Sequence, residues 1–81
     1  MENLIESKQD LKVWILKSNI RTEADVAKVA KSFKQKPILK WSIDLHDWEK
    51  VLKIQTRSEV KFERVMSWVR TLGFKCAELN H

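Results

Sequence analysis

The sequence predicts an α+β domain in which four strands and two helices follow one another in the order βαββαβ. Two segments repeat apolar residues at helical spacing, and four short segments are rich in apolar and β-branched residues. The chain has 81 residues, and with one Gly and one Pro it has the composition of a single ordered domain. Two βαβ halves interleave most simply as a ferredoxin-like sandwich, an antiparallel four-stranded sheet with two helices on one face.

The first predicted strand covers residues 11–18, LKVWILKS, and is apolar on both faces, which is typical of a central strand. Alternation places Trp14 and Leu16 on one face, and Val13 and Ile15 on the other. We expect Trp14 and Leu16 to lie on the open face of the sheet, away from the helices.

The first helix is predicted over residues 23–33. Thr22 is a suitable N-cap, and Asp25 three residues later completes a capping-box pattern, in which each side chain binds the backbone N–H of the other residue. The apolar stripe of this helix consists of Val26, Val29, Ala30 and Phe33. Pro37 helps to end the helical segment.

The second half of the chain supplies the remaining elements. The second strand is predicted at residues 38–45, a turn at residues 46–49, and the third strand at residues 50–56. In the third strand, Leu52 and Ile54 are expected to face the helices. The second helix starts after Ser58, a suitable N-cap, and ends before Gly73, and a last strand follows at residues 74–79. In this topology the loop before the first helix, the turn between the middle strands and the loop at Gly73 lie at the same end.

Residues 1–9 are predicted to be an N-terminal appendage, and residues 10–81 to form the single domain. The appendage lacks the apolar core of a signal peptide, and no segment has the roughly 18 apolar residues of a membrane span. A single cysteine, Cys76, excludes an internal disulfide and is typical of a reducing compartment. We therefore expect a cytoplasmic protein without membrane contact.

Three segments resemble the heavy-metal-associated domain, the fold of small copper chaperones and of modules in metal-pumping ATPases. SNIRTEADVAKVAKSF matches the metal loop and first helix of the family, and PILKWSIDL matches its second strand. LGFKCAEL matches the end of the last helix and the strand that follows it. The resemblance covers about residues 11–79 and implies a relative of metal carriers. It places Ile20 where the family has a buried loop methionine, and Thr22 and Asp25 where it has two metal-binding cysteines.

The replacement of both cysteines predicts a chain without the metal site of the family. Cu(I) is a soft ion that prefers thiolates, and a Thr hydroxyl and a carboxylate are poor ligands for it. Thr22 and Asp25 can instead satisfy the free N–H groups at the start of the helix. We expect no cofactor, and the alternative is a Cu or Zn ion at a non-standard site that includes Cys76 and His46. Cys76 is expected to face the core, and His46 lies in the predicted turn.

Two other functional classes share this order of elements. RNA-recognition modules stack bases on aromatic side chains of two strands, but the matching strand here, KVLKIQT, has none. An RNA-binding module is therefore a further alternative, and nucleic acid is not the expected partner despite a net charge of +5. Small phosphatases of this fold use an Arg and an Asn near the first loop, but beside Asn19 and Arg21 a Gly-rich phosphate cradle is missing. We predict that the chain is not an enzyme.

The open face of the predicted sheet is the candidate interaction surface. Trp14, Leu16, Leu39 and Val51 are expected there, and Trp48 is expected in the neighbouring turn. Apolar side chains without an internal cover are typical of a contact with another protein. The sequence therefore predicts a small non-enzymatic binding domain that contacts a protein partner, or a second copy of itself, through the open face.

Overall fold

The computed structural model describes residues 10–79, and within that range it contains four strands and two helices. Their bounds are β1 Leu11–Ser18, α1 Glu23–Phe33, β2 Lys40–Ile43, β3 Leu52–Arg57, α2 Phe62–Thr71 and β4 Cys76–Glu78. The sheet order is β2–β3–β1–β4, and all neighbouring strands are antiparallel. This is the predicted ferredoxin-like α+β sandwich. The predicted appendage at residues 1–9 lies outside the described residues.

One hydrophobic core lies between the sheet and the two helices. The central strands contribute Leu16, Leu52 and Ile54, all fully buried, and the latter two face the helices as predicted. The helices contribute Val29 and Phe33 from α1, and Val65, Trp68 and Val69 from α2. Burial of each large apolar side chain contributes about 1.5–3 kcal/mol, so in a domain of this size a few residues supply much of the stability.

The open face of the sheet is formed by the other side of β1 from the one we predicted. Leu16 is fully buried in the core, and the Trp14 ring stacks on Phe62 of α2 with 5.4 Å between ring centroids. Directly opposed residues of neighbouring strands share a face. Trp14 is opposite Ile54, and Leu16 is opposite Leu52. The prediction that Trp14 and Leu16 lie on the open face is therefore wrong.

A buried hydroxyl fixes the orientation of Trp14. The indole Nε1–H donates to Thr56 Oγ1 at 3.0 Å, and the Thr56 hydroxyl donates to the carbonyl of Arg57 at 2.9 Å. Thr56 is fully buried. An indole N–H that leaves water needs an acceptor, and only the helix side of the sheet offers this one.

The start of α2 also differs from the prediction. Ser58 is not the N-cap, because it lies in a turn before the helix, where its N–H donates to the carbonyl of Asp10. Lys61 takes the N-cap position without a side-chain hydrogen bond. At the other end, Gly73 follows the helix with φ 96°, the left-handed conformation expected at this position. Among residues 10–79, neither helix has both the length and the apolar character that a membrane crossing requires.

The two edge strands are shorter than predicted. β2 covers Lys40–Ile43 rather than residues 38–45, and β4 covers Cys76–Glu78 rather than residues 74–79. Before β2, the N–H of Ile38 donates to the carbonyl of Lys36 at 2.7 Å, so the backbone is still turning there. The first helix, in contrast, has the predicted bounds.

Candidate functional site

Three connections meet at one end of the sandwich, which we call the loop end: the β1–α1 loop, the β2–β3 turn and the α2–β4 loop. Ser18 donates from its N–H to the carbonyl of Glu49 at 3.1 Å and from its hydroxyl to the carbonyl of Lys50 at 2.8 Å. The N–H of Lys75 donates to Asn19 Oδ1 at 2.9 Å, and the N–H of Asn19 donates back to the Lys75 carbonyl at 3.2 Å. The prediction that these connections lie together is confirmed.

The start of α1 carries the predicted capping box. Thr22 Oγ1 accepts the N–H of Asp25 at 3.0 Å, and Asp25 Oδ2 accepts the N–H groups of Thr22 and Arg21 at 3.2 and 3.1 Å. The hydrogen bonds from the Arg21 and Thr22 backbone lower the pKa of Asp25. Ile20, just before the cap, is fully buried. The side chains of Thr22 and Asp25 are therefore engaged in holding the helix start.

Cys76 lies at the start of β4 and is half-buried against the core. Its Sγ is 3.6 Å from Met66 Sδ and 3.9 Å from the Met66 carbonyl oxygen. Burial raises the pKa of the Cys76 thiol, and the neighbouring Arg70 guanidinium offsets part of that rise. This rise favours the neutral thiol over the thiolate, the form that binds metal ions.

His46 and Cys76 line different clefts. His46 is exposed in the β2–β3 turn, where its N–H donates to Asp44 Oδ1 at 3.0 Å, and it lines a cleft with Val26 and Ala27 of α1. Within residues 10–79, no group of three or more His, Cys, Asp or Glu side chains is arranged to hold a metal ion. His46 and Cys76 therefore do not form part of one ligand set in the described chain.

Trp48 projects from the β2–β3 turn and is 86% exposed. Two hydrogen bonds to Asp47, the residue before Trp48, close the turn that carries the ring. The N–H of Glu49 donates to Asp47 Oδ1 at 3.0 Å, and the N–H of Lys50 donates to the Asp47 carbonyl at 2.9 Å. Lys50 adopts a left-handed conformation with φ 48°. The exposed indole thus sits on a hydrogen-bonded support.

A cleft of about 380 Å³ lies beside Trp48. Its lining includes Cys76 and Ala77 of β4, and Lys17 and Lys75 contribute positive charge to it. The cleft lies at the border between the loop end and the open face, because Ala77 is opposite Lys17 on the open side of the sheet. Trp48 and the open face therefore form one continuous surface.

The open face itself carries smaller apolar side chains than we predicted. Val13 is 52% exposed and Leu11 38% exposed, and Ile15 lies further along the same side of β1. Val51 lies on this face as predicted, while Leu39 is exposed just before β2. Sequence analysis missed Val13 and Ile15 as surface residues, because the side of β1 that faces the helices follows from its register with β3, which alternation within β1 does not reveal.

The described strands place no aromatic ring on the open face. Trp14 faces α2, and Trp41 of β2 makes an edge contact with Phe33 of α1 at 5.3 Å between ring centroids. RNA-recognition modules of this topology stack bases on rings at this face. The rings of Trp14 and Trp41 thus lie on the opposite side of the sheet from the face that these modules use for stacking.

Comparison with known proteins yields a likeness in structure. Neither a protein-family model nor a curated protein sequence matches the chain. Among solved structures, the chain is similar to one described as a CsoZ metallochaperone, with a TM-score of 0.68 and 12% sequence identity. The match covers 83% of this chain and 97% of the other. At this identity the likeness shows the fold alone, which is a metallochaperone-like fold.

Proposed function

We propose that this chain is a non-enzymatic protein-interaction domain, a relative of heavy-metal-associated domains that lacks the paired thiolates, and that it binds a protein partner at the loop end. The observation that carries the proposal is Trp48, a large ring 86% exposed on a closed turn. Tryptophan is the side chain most enriched among residues that dominate binding energy in protein interfaces.

The energy available from Trp48 is large for one residue. An indole that is covered on binding removes about 150–250 Å² from water, which corresponds to roughly 4–6 kcal/mol before the costs of association. Because hydrogen bonds already order the turn, little backbone entropy is lost when a partner binds. Two cations, Lys17 and Lys75, line the cleft against one carboxylate, Glu49, and this excess of positive charge favours a partner whose apolar contact is bordered by carboxylates.

The polar groups of the loop end support a non-enzymatic role. Asn19, which a phosphatase of this fold would need for chemistry, uses its side-chain carbonyl to hold the N–H of Lys75. Thr22 and Asp25 are similarly occupied in the capping box. These side chains hold the loop end together, which supports the proposed non-enzymatic role. The half-buried single thiol also supports the cytoplasmic location that we propose.

Photo-crosslinking tests this proposal. A benzophenone amino acid in place of Trp48, in the full chain expressed in its native cells, should give one covalent adduct with a protein. The same probe at Lys31, which is exposed on α1, is the matched control. The purified partner should then bind wild type more tightly than Trp48→Ala, with equal unfolding curves for the two chains. Equal adducts at positions 48 and 31, or equal affinity for wild type and Trp48→Ala, would overturn the proposal.

Metal carriage is the second candidate function, and one specific observation favours it. Cys76 Sγ and Met66 Sδ lie 3.6 Å apart, and two sulfur atoms are suitable ligands for soft Cu(I). The similar solved structure is named a metallochaperone. Native mass spectrometry with Cu(I) and Zn(II) tests this candidate: one tightly bound ion in wild type that is absent in both Cys76→Ser and Met66→Leu would establish it.

A further inference from the structure

We infer that β2 is an interface for a second copy of this chain, and that two β2 strands pair antiparallel at their outer edges to form one continuous sheet. This inference goes beyond the proposed function, because it concerns a sheet edge and not the Trp48 turn. It is carried by the register of β2 on β3 and by the order of side chains in residues 39–45, LKWSIDL.

β2 is an edge strand of the sheet, and part of its backbone points away from β3. The N–H of Asp44 donates to the Val51 carbonyl at 2.9 Å. Successive residues of a strand direct their N–H and C=O groups to alternate sides. The backbone groups of Asp44 and Ser42 therefore point to β3, and those of Trp41 and Ile43 point outwards. An outward row of this kind is a template for another strand.

β4, the other edge strand, is a poorer template. It has 3 residues, whereas β2 has 4. The N–H of Asn19 in the β1–α1 loop donates to the Lys75 carbonyl, so the same alternation turns the Cys76 carbonyl outwards. There it accepts the Arg70 guanidinium at 3.4 Å. The outer edge of β4 is thus partly satisfied by a side chain of its own chain.

Residues 39–45 are complementary to the same residues running in the opposite direction. If Ser42 is opposite Ser42 of the second copy, Lys40 is opposite Asp44, and a two-fold axis makes this contact twice. Lys40, Ser42 and Asp44 are all exposed on one side of β2. Opposite charges directly across a strand pair stabilise it, and a register shifted by two residues loses both pairs. This complementarity identifies a second copy as the occupant of the edge.

Apolar side chains occupy the alternate positions of the same segment. In this register Trp41 is opposite Ile43 of the second copy, and Leu39, which is 52% exposed, is opposite Leu45. Ile43 and Leu45 line a cleft of about 560 Å³ together with Ala27 of α1. Pairing gives each of these half-exposed side chains an apolar neighbour and removes apolar surface from water.

The other cations of the sheet lie away from the two-fold axis. Lys53 is opposite Ser42 in β3, so the two copies of Lys53 stand three strand spacings apart, about 14 Å. This distance exceeds the Debye length of about 8 Å at physiological ionic strength. Lys17 lies in β1, one strand further from the axis than Lys53. Repulsion between like charges is therefore weak in this arrangement.

Sedimentation velocity of the full chain at several concentrations tests the inference. One short strand from each copy makes a small interface, so we expect a monomer–dimer equilibrium. Lys40→Glu and Asp44→Lys each place like charges opposite each other, and each should weaken the dimer about tenfold. An equimolar mixture of the two variants pairs unlike charges at both contacts and should restore association. Lys17→Glu, the same charge change on β1, is the matched control and should leave the dimer unchanged.

Disulfide trapping is a second measurement that does not depend on Asp44, whose carboxylate also accepts the N–H of His46. In the proposed register the two Ser42 residues form a pair without mutual hydrogen bonds, with Cα atoms about 4.5 Å apart, which suits a disulfide. In a Cys76→Ser background, Ser42→Cys should give a covalent dimer under mild oxidation. Ser67→Cys, exposed on α2, is the control and should stay monomeric.

Three results would overturn the inference. They are a wild-type chain that stays monomeric at all concentrations, equal trapping at positions 42 and 67, and a mixture of folded charge variants that associates no better than its components. If Asp44→Lys unfolds more readily than wild type, the trapping result decides. Trp48→Ala should leave the dimer intact, which separates this test from that of the proposed function.

Discussion

Replacing Thr56 by Val tests whether a buried hydrogen bond holds Trp14 on the helix side of the sheet. Thr56 is fully buried, and its hydroxyl accepts the Trp14 Nε1–H at 3.0 Å and donates to the Arg57 carbonyl at 2.9 Å. Val has nearly the same shape as Thr. The substitution therefore removes both hydrogen bonds while it leaves most of the packing unchanged.

The expected loss of stability follows from these contacts. An intramolecular hydrogen bond contributes about 0.5–1.5 kcal/mol net, and a buried donor left without a partner costs about 1–3 kcal/mol. The added methyl group of Val returns up to about 0.8 kcal/mol. Because Trp14 is only half-buried, we expect Thr56→Val to lower the free energy of unfolding by about 1–2 kcal/mol, out of a total of about 4–12 kcal/mol for this length.

Thermal and urea unfolding followed by circular dichroism measure this loss, which should lower Tm by about 4–15 °C. The matched control is Thr71→Val on exposed α2 surface, where the hydroxyl donates to the Ser67 carbonyl at 2.7 Å. Trp14→Phe should also cost less in the Thr56→Val background than in wild type, because the shared bond is already absent. Equal stability of Thr56→Val and wild type, or an equal cost of Trp14→Phe in both backgrounds, would refute the reasoning.

Three further predictions concern the helix ends. Thr22→Ala should lower the free energy of unfolding by about 1 kcal/mol in urea titrations, while Thr22→Ser retains most of it. The lowered pKa of Asp25 means that its charged form stabilises the fold above the usual carboxyl pKa, and this contribution disappears as pH falls through the lower pKa of the folded state. Wild type should therefore lose more stability than Asp25→Asn between about pH 5 and pH 2 in thermal melts. Gly73→Ala should cost about 1 kcal/mol in urea titrations through the backbone alone, because φ is 96° and nothing lies within 4 Å of an added Cβ; an unchanged midpoint would contradict this.

Local signals predicted most of the fold. The capping box of Thr22 and Asp25 lies within one turn, and the apolar stripe that ends at Phe33 repeats every three or four residues, so the bounds of this helix follow from neighbouring residues. The end of α2 is also predicted by a local signal, because the left-handed position after a helix is usually occupied by glycine, here Gly73. Where a structural feature depends on residues close in sequence, the sequence was sufficient.

Features that depend on distant pairing could not be predicted in the same way. Both sides of β1 are apolar, so alternation alone cannot decide which side faces the helices. The decision comes from the register of Trp14 with Ile54 and from the acceptor at Thr56, both far along the chain. Ser58 is not the N-cap because α2 begins only at Phe62, and the turn that holds Ser58 is tied to Asp10, a residue far away in the sequence.

In the candidate site, too, some features follow from neighbouring residues and others from the pairing of distant strands. Trp48 follows from a turn pattern in the sequence, and the structure places it in a turn and exposes it. Val13 and Ile15, in contrast, reach the surface only because the larger side chains on the other side of β1 fill the core.

The position of β4 has a consequence for biosynthesis. β1 occupies an interior position in the sheet, but one of its edges is completed only by β4, where Leu16 is opposite Glu78. Ribosomes add about 5–20 residues per second, so this edge of β1 stays unpaired for seconds after β1 has been made. An unpaired apolar edge is a template for wrong strand pairing. We therefore expect wrong strand pairing of the nascent chain to be most frequent in the interval between the synthesis of β1 and that of β4.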